Sequence, residues 1–202
     1  TFTNYFLDYR AYGKLTSRSL VAWRLFSAIS NGETETAVIS GIPIQTSSSQ
    51  IFAIGGLNQL RGYSFREFFG DRVAYMNFEL RFPLMDQLRF PFGSINNIRG
   101  ILFLDVGAAW FRGDRVFDSN LNRPFGLMVE NFKFWDSDNS QLGDGRAAYG
   151  IALYFDIGPF DLNWSFASKI ENSVRTSATG PLEVDPFFDN GWTSSFYIGR
   201  VF

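Results

Sequence analysis

The stretch Val73-Ala74-Tyr75-Met76-Asn77-Phe78-Glu79-Leu80-Arg81-Phe82-Pro83-Leu84 decides the fold class. Ala74, Met76, Phe78, Leu80, Phe82 and Leu84 take every second position, and Tyr75, Asn77, Glu79 and Arg81 fill the places between. Side chains of an extended chain point alternately to opposite faces. This period therefore predicts a strand with one apolar and one polar face.

The same alternation recurs along the chain. Leu102, Leu104, Val106, Ala108 and Trp110 share a face within Ile101 to Phe111, with Asp105 and Gly107 opposite. Tyr149, Ile151, Leu153 and Phe155 alternate with Gly150, Ala152, Tyr154 and Asp156. Phe160, Leu162, Trp164 and Phe166 face away from Asp161, Asn163, Ser165 and Ala167. Weaker versions run from Phe2 to Leu15, from Ser17 to Asn31 and from Trp192 to Phe202. Seven strands are thus expected and no amphipathic helix. Thr16-Ser17, residues 87–96 and Gly158-Pro159 read as the shorter connections. Residues 32–71, 113–145 and 169–191 read as long loops rich in Ser, Asn, Asp and Gly, with room for an extra hairpin in 124–134.

Composition agrees with interleaving. The 202 residues include 24 Phe, 8 Tyr and 5 Trp, yet mean hydropathy is −0.05, so apolar and polar residues are mixed rather than segregated. The chain has no Cys and no His, which removes thiol nucleophiles, disulfides, Cys-ligated zinc and the commonest general base. No metal or cofactor site is expected, and no enzyme. A net charge of −2 and a pI near 5.2 give no basic surface for nucleic acid. No apolar run approaches the ~18 residues of a membrane helix; Ile101 to Phe111 is interrupted by Asp105. No signal peptide opens the chain, and Thr1 begins within an alternating pattern, as if further strands preceded it.

Two architectures alternate in this way. A soluble sandwich or lipocalin-like barrel buries its apolar face and puts Lys, Glu and Ser outside. An outer-membrane barrel turns the apolar face to lipid, with short turns at one end, long loops at the other and aromatic girdles between. The faces opposite the apolar stripes here mix Asp, Asn, Arg and Ser with Gly, Ala and Tyr. Strands end in aromatics such as Trp110-Phe111, Trp192 and Phe202. Both features favour the membrane reading. Seven strands do not close such a barrel, because bacterial single-chain barrels have an even count and an open edge in hydrocarbon leaves backbone groups unpaired.

The first long loop carries Gly55-Gly56-Leu57-Asn58-Gln59-Leu60-Arg61-Gly62-Tyr63. Its glycines permit a sharp reversal. The apolar neighbours of Arg61 suit a loop folded back into a lumen, although an ordinary Gly-rich turn reads the same way in isolation. Downstream come Asn77-Phe78-Glu79-Leu80-Arg81-Phe82-Pro83-Leu84, Leu102-Phe103-Leu104-Asp105-Val106-Gly107, Gly158-Pro159-Phe160-Asp161-Leu162 and the ending Phe196-Tyr197-Ile198-Gly199-Arg200-Val201-Phe202.

This ordered set resembles the C-terminal barrel of the bacterial surface-antigen superfamily, the BamA/TamA-type outer-membrane assembly proteins. The resemblance spans residues 1–202 and implies an all-β, antiparallel transmembrane β-barrel. The chain would supply about seven C-terminal strands of a sixteen-stranded barrel. It further implies that loop 32–71 folds inward and that Arg61, with Gly62 and Tyr63 at the tip, reaches Glu79 and Asp105. The competing arrangement pairs Glu79 with Arg81 or with lumen water. Phe196, Ile198, Gly199 and Phe202 would form the C-terminal assembly signal and one side of a seam. Arg200 falls on the face of Ile198 and Phe202, where it would have to snorkel to the headgroups.

The implied role is assembly, insertion or translocation of proteins at the bacterial-type outer membrane by strand pairing at that seam. Implied partners are outer-membrane lipid, unfolded client proteins and further subunits or periplasmic domains. The alternative is a barrel that anchors or exports a separate N-terminal periplasmic domain.

Overall fold

A computed structural model describes residues 1–39, 42–47, 49–91, 93–111, 132–137, 141–157, 160–170, 174–175, 183–184 and 191–200. Seven strands form one antiparallel sheet: β1 (Phe2–Lys14), β2 (Leu20–Gly32), β3 (Arg72–Phe90), β4 (Gly93–Trp110), β5 (Arg146–Ile157), β6 (Phe160–Ile170) and β7 (Thr193–Arg200). They lie side by side in chain order, with β1 and β7 at the edges. Among the described residues no helix forms. All seven expected strands are present.

The alternation decides which face is which. Trp23, Phe78 and Leu104 stand in one lateral row across β2, β3 and β4, and each is 38–43% exposed. Leu80, Leu102 and Ile151 form the adjacent row. The opposite face is the buried one, and much of it is polar or small: Ser30, Asn77, Asp105, Ala148, Ala152, Ser165 and Ala167. A soluble barrel would invert this arrangement, since exposed apolar bands of this extent are avoided in water. Apolar out and polar in is the arrangement of a transmembrane barrel.

One connection differs from the sequence reading. Residues 87–96 are not a loop. β3 continues to Phe90, and Gln87, Leu88, Arg89 and Phe90 pair with Asn96, Ile95, Ser94 and Gly93. The alternation ends after Leu84, where apolar Met85 follows directly, next to Pro83, which cannot donate to a ladder and is tolerated in strands at edges or bulges. Here the register shifts between Pro83 and Met85, so the strand absorbs the proline and carries on. The hairpin expected within 124–134 lies outside the described residues except for 132–134. Gly158-Pro159 and Phe202 also lie outside them.

The first long connection leaves β2 as a ribbon, Thr34–Ile39 paired with Ile42–Ser47. It then turns onto the polar face of the sheet, where Phe52–Ile54 pairs with Phe68–Gly70. Between these arms residues 55–67 make the tip. Ile54 and the tip residues Leu60 and Tyr63 are buried together with Ala28, Val73, Tyr75 and Ala148 of the wall. Gly107 makes this approach feasible, because a Cβ there would lie 2.8 Å from the Tyr75 Cβ and 3.2 Å from a Leu60 methyl.

An outward-facing charge should be costly. Phe78→Lys is expected to destabilise the protein in lipid by up to about 2–4 kcal/mol, as read by denaturant titration in vesicles. A soluble apolar-core barrel would show little effect at this exposed position.

Candidate functional site

The centre of the loop's contact with the wall is Asp105, which is fully buried on β4 between the outward-facing Leu104 and Val106. Its two oxygens accept four hydrogen bonds. Oδ2 takes the Arg61 backbone N–H at 3.0 Å and the Arg61 Nε–H at 2.7 Å. Oδ1 takes Arg61 Nη2 at 2.7 Å and Asn77 Nδ2 at 2.8 Å. A carboxylate offers about four acceptor positions, and all are used. Asn77 spends its other amide hydrogen on the Gln59 carbonyl at 2.7 Å, tying the loop backbone to β3.

Arg61 is almost as enclosed. Its side chain retains 7% of its exposure, and Nη1 pairs with Glu79 Oε1 at 2.8 Å. The second Glu79 oxygen pairs with Arg81 Nη2 at 2.6 Å, so Glu79 serves both arginines rather than Arg81 alone. The guanidinium carbon lies 3.7 Å from the centroid of the Phe103 ring, a cation–π contact within a desolvated site. Burial by itself disfavours the Arg61 charge. The Asp105 hydrogen bonds and the charges of Asp105 and Glu79 outweigh it and raise the pKa above the ordinary arginine value. A lysine could not reproduce this fork, because one ammonium cannot hold Asp105 in a bidentate grip and reach Glu79 as well.

Gly62 and Tyr63 fix the tip on the next two strands. Gly62 has φ +90, in the left-handed region that favours glycine. A Cβ on it would lie 3.1 Å from the Ala167 Cβ and 3.7 Å from the Ala148 Cβ. The Tyr63 hydroxyl donates to the Ala147 carbonyl at 3.0 Å. Arg61, Gly62, Tyr63, Glu79 and Asp105 are therefore brought together in one buried cluster.

The C-terminal residues lie elsewhere. Phe196 and Ile198 are exposed on edge strand β7, and Gly199 pairs with Asp161 of β6.

Several members of the cluster were not singled out from the sequence. Asn77 shares a face with Glu79 two residues away. Phe103 had a local signal, because it places an aromatic ring on the otherwise polar face of Leu102-Phe103-Leu104. Ala148 and Ala167 had none, since a slot for Gly62 depends on the register of β5 and β6.

A charge beside the cluster completes the wall. Asp8 of β1 accepts from Arg24 of β2 at 2.9 and 2.8 Å, and from Arg10 at 3.2 and 2.8 Å. Arg10, Arg24, Arg61, Arg81 and Arg99 line a polar cavity of about 580 Å³ against the loop. Among the described residues no group of acidic side chains is arranged to hold a metal ion.

The family described as the Omp85 superfamily domain matches residues 2–189, and the chain belongs to this superfamily. Its members are outer-membrane β-barrel proteins of assembly and translocation. No curated protein and no solved structure matches the chain.

Gly62→Ala is expected to cost about 1–3 kcal/mol, from the strained backbone together with the contact on Ala167. Adding Ala167→Gly should recover only the steric part. Unfolding titrations in lipid check both, and complete recovery would show that the left-handed backbone carries no strain.

Proposed function

We propose that this Omp85-superfamily chain forms the C-terminal wall of a multi-pass outer-membrane barrel that inserts or translocates proteins without covalent chemistry. Client strands pair with the edge at β7, where Phe196, Ile198, Gly199 and Phe202 form the terminal segment. β-augmentation of this kind is favoured in lipid because backbone groups there cannot stay unpaired. The partners are outer-membrane lipid, unfolded clients and accessory periplasmic domains or subunits.

The observation that carries this reading is the buried Arg61–Asp105–Glu79 network. A loop pinned by two carboxylates to the polar wall braces the sheet and fills the lumen beside it. Breaking a buried pair leaves an uncompensated charge and costs about 3–5 kcal/mol, so the loop stays docked while the seam works. Use of the barrel only as an anchor would place no such demand on the network's integrity during client insertion.

Arg61→Ala and Asp105→Ala are therefore expected to leave a heat-modifiable barrel in the membrane while lowering client assembly and raising ion conductance. Planar-bilayer recordings and an assembly assay in reconstituted vesicles measure the two effects. Wild-type conductance and assembly in both variants would exclude the brace.

A further inference from the structure

The loop also touches strands that Arg61 does not engage. Arg61 engages β3 through Glu79 and β4 through Asp105 and Phe103. The residues that follow it engage β5 and β6. Lys169 of β6 places its Nζ 4.7 Å from the Tyr63 ring centroid and 4.0 Å from Glu67 Oε1. Its stem also passes Gly62, whose added Cβ would lie 3.7 Å from the Lys169 Cγ. Glu67 in turn accepts the Ser64 backbone N–H at 2.6 Å and closes the turn after the tip. The Tyr63 ring meets Phe68 edge-on at 5.2 Å, and Arg146 of β5 lies 5.4 Å from the Phe68 ring.

We propose that Lys169 is a positioning residue of a second catch. Acting through Tyr63 and Glu67, it holds the distal arm of the loop on the β5–β6 hairpin independently of Arg61. β6 is the strand on which β7 hangs, with Ala167 paired to Thr193 and Trp164 to Phe196. The two catches thus divide the wall. Arg61 fixes the loop to β3 and β4, and Lys169 fixes it to the hairpin next to the terminal strand. Displacement of that hairpin relative to the loop breaks the Lys169 catch together with the Tyr63–Ala147 hydrogen bond. Its chemistry suits this use, because both Lys169 and Glu67 keep about 30% of their side-chain exposure. A half-exposed ion pair and a cation–π contact are weaker than the buried Arg61 fork. This inference rests on the brace reading of the loop and adds the residue that couples the brace to the last hairpin.

The test is hydrogen exchange of the whole protein in lipid nanodiscs. Lys169→Glu, which sets two carboxylates against each other, is expected to speed exchange of the amides from Tyr63 to Phe69 by about three- to tenfold. The Arg61 amide, bonded to Asp105, should keep its wild-type rate. The charge swap Glu67→Lys with Lys169→Glu should recover most of the loss. Unchanged rates in Lys169→Glu, failure of the swap to restore protection, or equal acceleration at Arg61 would each overturn the second catch. Arg61→Ala in the same experiment tests the brace itself. If it leaves the whole loop protected, the brace reading falls, while the Lys169 variants still decide the second catch.

Discussion

The structure depends on one buried carboxylate. Asp105 sits on a strand whose other face is apolar, has no access to solvent, and would be untenable as an anion without complete compensation. That compensation comes from Arg61, 44 positions earlier in the sequence, through its backbone N–H and two guanidinium nitrogens. Satisfying Asp105 forces the loop onto the wall, and the rest follows. Asn77 must bridge wall and loop, Glu79 must accept from the remaining Arg61 nitrogen, and Gly62 must turn where only a small wall leaves room. Polar networks of this kind are strong when every member is satisfied and costly when one is missing. Here the network is closed, from Asn77 through Asp105 and Arg61 to Glu79 and Arg81.

The same face logic separates two proteins that alternate alike. In a soluble barrel the row Trp23–Phe78–Leu104 would be the core, and the arginines and aspartates would meet water. In this chain Trp23, Phe78 and Leu104 face outward and the charged groups converge inward, where they can pair with one another. The wall next to the loop has alanines, serines and Gly150 where a soluble core would have Leu or Ile. Small residues leave space for a second layer of backbone, which the loop supplies.

Much of this was legible because the relevant signal is local. A period of two needs no knowledge of neighbours, so all seven strands were readable, and so were the faces of Glu79 and Asp105. The role of Arg61 came from the resemblance carried by the ordered motifs, because its own Gly-rich setting reads equally as an ordinary turn. The register shift between Pro83 and Met85 hid the length of the third strand, because a bulge depends on how the partner strand slips past it. Ala148, Ala167 and Lys169 carried no local signal. Their meaning arises only when the fifth and sixth strands come into register beneath the loop tip.

The central claim is that Arg61 and Asp105 act as one unit holding the loop to the wall. A double-mutant cycle measures this most directly, using unfolding free energies in lipid for wild type, Arg61→Ala, Asp105→Ala and the double variant. A locked loop predicts a coupling energy of about 2–3 kcal/mol between the two sites. Coupling below about 0.5 kcal/mol, the level of independent positions, would contradict it.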